Sequence, residues 1–317
     1  MSRTIRTSVP VRRFVGLVVA LLALLALAGC STPAETPAVK KPASSAVFPV
    51  TITDDASRTV TIKTEPARIV SLAPANTEIA FALGLGDRIV GVTTYDDYPA
   101  EVANIAKIGD FATPNIEAIA AAKPDLILAT TGVQADVLAK LEGLGATVVA
   151  IDPQTLDGLY TDITRIGSAT GAVTKAAAVV DGMKRDVDEV VRAVEGTSAV
   201  TAFVEIAQNP LFTAGKGTLL DELIVLAGGK NVVTQPGWVA YSAEQVVKAD
   251  PQVYLATKGS MSDPAALSQR AGFGDLSAVR NGRVVILDDN LVSRPGPRIV
   301  EGLKLIAIAL HPESVSK

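Results

Sequence analysis

The chain is poor in the residues from which most enzymes and metal sites are built. Among 317 residues there is one histidine, one cysteine and one tryptophan, and aromatic residues make up 4% of the total. The histidine, His311, stands near the carboxyl end beside Pro312 and reads as a solvated terminal residue. With no usable imidazole or thiol, Ser–His and Cys–His nucleophiles are excluded, and so are transition-metal sites built on those ligands. The acid pairs Asp54–Asp55, Asp96–Asp97 and Asp288–Asp289 lie in loops and read as turn formers rather than acid–base dyads. Phosphate loops are missing too. "TAGKGT" (Thr213–Thr218) carries a Gly-Lys pair, but Pro210 occupies the position where a Walker A loop needs its first glycine, and "GLGDRI" lacks the third glycine of a dinucleotide fingerprint and follows a helix. No catalytic residue and no metal ligand set is expected. A basic stripe is also lacking. Of 29 basic residues, four are arginines of the first 29 positions, which leaves 25 against 33 acidic residues and a net charge of −8; nucleic acid is not an expected partner.

There is one long apolar run, Phe14 to Ala28, preceded by Arg3, Arg6, Arg12 and Arg13. It is too short for a comfortable membrane span and reads as a signal peptide over residues 1–29. The run ends in Leu27-Ala28-Gly29-Cys30, which matches the bacterial lipobox, so Cys30 is expected to become the lipidated first residue of an exported protein held on the extracytoplasmic face of the membrane. As the single cysteine it has no internal disulfide partner. The Arg12–Arg13 pair fits either a twin-arginine or a general secretory route. Residues 30–47, rich in Pro, Ala, Ser and Thr, read as a tether.

Beyond the tether the pattern is α/β. "FPVTITDD" and "RTVTIKT" alternate apolar and polar residues about a turn and predict an edge hairpin. Strands are then expected at "RIVSLA", "RIVGVT", "DLILAT" and "TVVAID", with helices over 76–84, 115–122 and 134–143. A second series has strands at "AVTAFVEI", "NVV", "QVYLAT" and "RVVILD", with helices over 218–227, 242–249, 264–271 and at the carboxyl end. Strands alternating with helices imply parallel sheets. The two series echo one another. "TEIAFALG" and "DELIVLAG" each place a Glu six residues before a Gly, and Glu117 and Glu244 each stand seven residues before a Pro and a strand ending in Leu-Ala-Thr. Between the series, Val173, Ala176, Val180, Met183, Val187, Val190 and Val194 recur at helical spacing, bracketed by Gly171 and Gly196. The expected fold is therefore α/β with two Rossmann-like lobes, residues 48–170 and 197–317, joined by one long helix over 171–196. The aromatics Tyr95, Tyr98, Phe111, Trp238 and Tyr241 fall near strand ends, where an open α/β sheet binds its ligand. Each could instead pack in the core of its own lobe.

Taken together, "RIVSLAPANTEIAFALGLGDRIVGVTTYDDYP", "NIEAIAAAKPDLIL", "NPLFTAGKGT", "VAYSAEQVVKADPQVYL" and "SRPGPRIVEGL" resemble the substrate-binding proteins of bacterial ABC importers for cobalamin, ferric siderophores and haem, over nearly all of residues 48–310. "PANTE", Tyr95, "NPLFTAGK" and Trp238 six residues before Glu244 resemble most the cobalamin-binding branch. The resemblance implies a binding protein, not an enzyme, with Tyr95 and Trp238 stacking on a corrin ring. Pro74, Ala75 and Asn76 would then lie near the ligand, and Phe111 would stand at the rim. Thr130 and Ile206 take the place of further aromatics, and Asp289 or Asn290 that of a ligand-facing Asp. Arg294 and Arg298 are candidates to meet an anionic siderophore, the alternative ligand; haem is a third. The resemblance further implies that Glu117 and Glu244 dock onto arginines of a dimeric permease, which works with ATPase subunits. A simple helix-dipole role for the two glutamates is the plainer account. A monomer is expected.

Overall fold

The computed structural model describes residues 48–261 and 263–315. The expected signal peptide, Cys30 and the expected tether lie outside the described residues. Two strands, β1 (Val50–Thr53) and β2 (Thr59–Ile62), form the antiparallel hairpin. Its turn is fastened by Asp54, whose carboxylate accepts from the backbone of Ala56, Arg58 and Ala150. Burial acts to raise the Asp54 carboxyl, but these hydrogen bonds and the Arg58 guanidinium hold it below its ordinary range.

The amino-terminal lobe is built on β3 (Ile69–Ser71), β4 (Ile89–Gly91), β5 (Leu126–Ala129) and β6 (Val148–Ala150), all parallel in the order β4-β3-β5-β6. These strands are buried nearly throughout, as expected of a parallel sheet covered on both faces. Helices α1 (Pro74–Ala82), α2 (Ile116–Ala121), α3 (Ala135–Gly143) and α4 (Leu156–Thr170) complete the lobe. The apolar spacing of the sequence does not single out α4. It begins under Thr155, which accepts from the Gly158 amide, and ends at Gly171 in a left-handed conformation (φ 78°).

Helix α5 (Val173–Val194) is the long joint, 22 residues with Ala176, Val180, Met183, Val187, Val190 and Val194 buried. It is not free-standing. Its stripe lies in one core cluster with Ile79, Leu128 and Leu159 of the first lobe and Leu223, Leu303 and Ile306 of the second. Each buried Val or Met contributes on the order of 1.5–3 kcal/mol, so the joint is fixed to both lobes by its packing.

The second lobe repeats the first. Strands β7 (Val200–Glu205), β10 (Gly229–Asn231), β12 (Val253–Thr257) and β13 (Val284–Leu287) are parallel in the order β10-β7-β12-β13, the same relative arrangement. Strand β10 begins two residues earlier than "NVV" suggests. Asn231 closes it, donating to the Ala214 carbonyl at 2.9 Å and to Asp221 at 3.0 Å. A small antiparallel sheet of β8 (Ala207–Gln208), β9 (Leu211–Ala214) and β11 (Trp238–Ala240) adds to the strands expected from the sequence. Helices α6 (Leu219–Leu226), α7 (Ala243–Ala249), α8 (Ser277–Arg280), α9 (Asp289–Val292) and α10 (Ile299–Leu310) complete this lobe. Over 264–269 the chain forms a 3-10 helix.

The reading of His311 as solvated is corrected. It is 2% exposed, and its Nε2 donates to the Gly228 carbonyl at 3.1 Å. Helix α10 does not fray here, because the chain turns beyond it and buries Val315.

Candidate functional site

In each lobe the chain first builds strands to one side of the initial strand and then crosses to the other, which opens a crevice beside that strand at its carboxyl end. In the first lobe this crevice lies between β3 and β5. Ala73, Pro74, Ala75 and Asn76 leave β3 and start α1. Asn76 is buried and donates to the Ala129 carbonyl at the end of β5, at 3.0 Å. Gln134 braces the same place, donating to the carbonyls of Leu72 and Phe111, each at 2.7 Å. The strands beside it send in Thr130 after β5, Ile151 and Asp152 after β6, and Tyr95 and Asp110–Ala112 from the loops after β4. Ser293, Arg294 and Pro295 of the second lobe close one side. Together they line a cleft of about 470 Å³.

The wall is held in place by polar groups beneath it. Asp96, the residue after Tyr95, is buried and accepts from the Thr93 amide at 2.9 Å. Burial pushes its carboxyl above the ordinary range, against the hydrogen bonds from Thr93. Tyr95 itself is 57% exposed. Standing free in the cleft, this ring offers a flat apolar face to the cavity.

The equivalent crevice of the second lobe is filled by its own side chains. Glu205, at the end of β7, is fully buried, receives the Tyr254 hydroxyl and pairs with Arg270 through both guanidinium nitrogens. Burial and the Glu205 charge push the Tyr254 phenol up. Tyr241 belongs here as well, its ring 5.6 Å from that of Phe203, so its place is the lobe's core and not the cleft.

Of the residues singled out in the sequence, Pro74, Ala75, Asn76, Tyr95, Phe111 and Thr130 come together on the cleft wall. Trp238, Ile206, Asp289 and Asn290 are not part of that lining. Trp238 lies on β11 opposite Ala214 and is 45% exposed. Ile206 packs against the main core. Asp289 accepts from the Gly259 amide at 3.0 Å, and Asn290 donates to Asp97 at 3.2 Å. Glu117 and Glu244 are both exposed and occupy matching places in the first turns of α2 and α7, each helix being capped by the preceding Asn115 or Ser242. The Glu244 carboxyl is held below its ordinary range by backbone N–H and by Ser242.

Contacts across the lobe boundary leave no signal in the sequence. Arg294 donates to Asp97 at 2.6 Å, to Glu78 at 3.3 Å and to the Tyr95 carbonyl at 3.3 Å. Arg298 meets both oxygens of Glu78 and lies 3.8 Å from the Tyr98 ring centre. Burial acts to raise Asp97, but Arg294 outweighs it and holds that carboxyl below the ordinary range. In the other direction, Glu222 of α6 accepts from the Leu156 amide at the start of α4, at 2.8 Å. Glu78 and Glu222 are the two glutamates that stand six residues before a glycine, so equivalent positions of the two repeats each hold a helix start in the opposite lobe.

Residues 69–291 match the family model described as periplasmic binding protein. The chain belongs to the periplasmic binding protein family. It is 39% identical over 303 residues to an uncharacterized ABC transporter substrate-binding lipoprotein of Bacillus subtilis, covering 93% of this chain and 96% of that one. Its structure is similar to that of a Staphylococcus epidermidis protein described as a possible iron-binding periplasmic solute-binding protein, with a TM-score of 0.71, 36% identity, and coverage of 78% of this chain and 100% of that one. It also resembles the vitamin B12-binding protein of Vibrio cholerae, with a TM-score of 0.68, 30% identity, and coverage of 77% and 96%. Membership of this family of non-enzymatic transport components agrees with the two-lobed α/β fold and the binding role expected from the sequence. Among the described residues no helix is long and apolar enough to cross a membrane.

Proposed function

We propose that this is the lipid-anchored substrate-binding component of an ABC importer, and that it captures a cobalamin-like corrinoid between its lobes for delivery to a permease. The observation that carries the reading is the cleft itself. A free-standing Tyr95 and a half-buried Phe111 lie with the wall of Pro74–Asn76 at the carboxyl ends of a parallel sheet. Such a wall suits a flat, largely apolar macrocycle. In this reading Trp238, exposed on β11, presents the facing wall, Thr130 widens the floor, and Asn290 and Asp289 stand at the edge from which Arg294 enters, while Ile206 backs the wall from the core. Lipidation at Cys30 would place the protein on the extracytoplasmic face of the membrane.

Titrating the purified protein with cyanocobalamin, haem and a ferric siderophore, with Trp238 fluorescence as the readout, tests this. Quenching by the corrinoid at micromolar concentration is expected; quenching by the siderophore alone would sink the corrinoid reading. The second reading, a ferric-siderophore protein, needs the Arg294 guanidinium in the cleft lining to exchange Asp97 and Glu78 for the ligand.

Glu117 and Glu244 are proposed as the docking pair, one carboxylate per lobe at equivalent helix starts, suited to a two-fold permease. Combined Glu117→Ala and Glu244→Ala should abolish uptake by whole cells and leave ligand affinity unchanged. A fall in ligand affinity would instead assign the two residues to the cleft.

A further inference from the structure

We infer that the cleft sorts ligands by charge, and that Asp110 and Asp152 are the residues that turn anions away. The inference rests on the corrinoid reading and narrows it to neutral or cationic corrinoids. Three charged side chains line the cleft: Asp110, Asp152 and Arg294. Arg294 brings no free positive charge. It is held by Asp97 and Glu78, and Glu78 is shared with Arg298, so two guanidiniums face two carboxylates. Among the described residues neither Asp110 nor Asp152 has such a partner. Asp110 accepts from the Ala112 amide at 2.8 Å. Asp152 accepts from the Thr131 hydroxyl and from the Gln154 amide group, the latter at 3.2 Å. All three donors are neutral. The lining therefore carries two uncompensated negative charges, one after β4 and one after β6.

Both carboxylates are half-buried, where reduced solvent makes a charge felt at longer range than in bulk water. A ligand with several carboxylates, or a catecholate complex, would approach two like charges. To gain Arg294 it would have to take that group from Asp97 and Glu78. A neutral macrocycle avoids both costs, and a cationic one gains from the two aspartates.

The test keeps the ring constant and changes only its charge. Isothermal titration of the full chain in detergent would compare cyanocobalamin, which is neutral, aquacobalamin, which is singly positive in mildly acidic buffer, and a cobalamin monocarboxylate, which is singly negative. The expected order is cation, neutral, anion, with roughly ten-fold in affinity between steps at low salt, narrowing as salt is raised. The Asp110→Asn, Asp152→Asn double variant should collapse the series. Equal affinity for all three, or a series that persists in the double variant, overturns the charge filter and leaves the corrinoid reading standing. If no corrinoid binds and haem or a ferric catecholate does, the corrinoid reading falls. The filter then survives only if the double variant binds that anion more tightly, and falls if it does not.

Discussion

Asp162 shows how much one side chain can hold against its surroundings. It is 1% exposed on α4, shares the Arg165 guanidinium with Asp55, and among the described residues keeps one oxygen without a hydrogen-bond partner. Burial and the neighbouring Asp55 push its carboxyl up to about 8, which the single Arg165 does not offset. The folded pKa thus lies above the unfolded one. The folded state keeps a proton that the unfolded chain gives up, so this group's contribution is complete below the unfolded value of 3.8 and is lost as pH rises to about 8. Asp162→Asn should remove that dependence. Its melting temperature, followed by circular dichroism, should match the wild type in acid and exceed it by a growing margin as pH rises toward 8. A variant that melts lower at every pH would show instead that the Arg165 pair dominates. At this scale the sequence was least legible. Tyr95 and Tyr241 both follow strands in similar polar surroundings, yet one stands free at 57% exposure and the other packs on Phe203. Nothing local separates them, because the difference is made by which strand each loop folds over. Asp152 could have been found, since it ends the strand run "TVVAID" on the side where ligands bind.

Single elements were easier to read where they are buried on both faces. "DLILAT" and "QVYLAT" are apolar runs that only a covered parallel strand requires, and both became central strands. Helix α4 is hard to see in the sequence because Thr, Gly, Asp and Ser interrupt its apolar residues. It is secured instead by its ends: Thr155 and Glu222 at the start, left-handed Gly171 at the finish. Glu222→Ala should cost about 1 kcal/mol, as for loss of a helix cap. The Leu156 amide should then exchange faster in hydrogen–deuterium measurements while amides of β12 keep their protection. Glu78→Ala should cost more, about 3 kcal/mol, because it leaves Arg298 without its carboxylate partner. Chemical denaturation of the two variants checks the order, and equal costs would contradict it. Gly215→Ala is a further case at this scale. A Cβ there would stand 2.0 Å from the Gln235 carbonyl, so the β9–β11 sheet that carries Trp238 should be disturbed, with a loss of ligand-induced Trp238 quenching.

For the molecule as a whole, the repeated series revealed two lobes and the valine-rich stripe revealed the joint. The seam between the lobes stayed hidden, since Glu78 and Arg298 are 220 residues apart and neither has a local pattern that announces the other. With α5 packed into a core common to both lobes, and carboxylates crossing the seam in both directions, large hinge motion is disfavoured. Small-angle scattering should therefore show the radius of gyration changing by no more than about 1 Å on saturation with ligand. A larger contraction would mean that the seam opens in the free protein.

The crossed pair of glutamates also limits how the halves can be exchanged. A hybrid taking residues 48–196 from this chain and the remainder from a relative would draw the Leu156 helix start from one parent and its capping carboxylate from the other. Glu78 would likewise meet whatever the second parent carries at positions 294 and 298. Recombination within this family should succeed where both crossings are matched and fail where one is not, so the lobes are inherited as a matched set despite having the same plan.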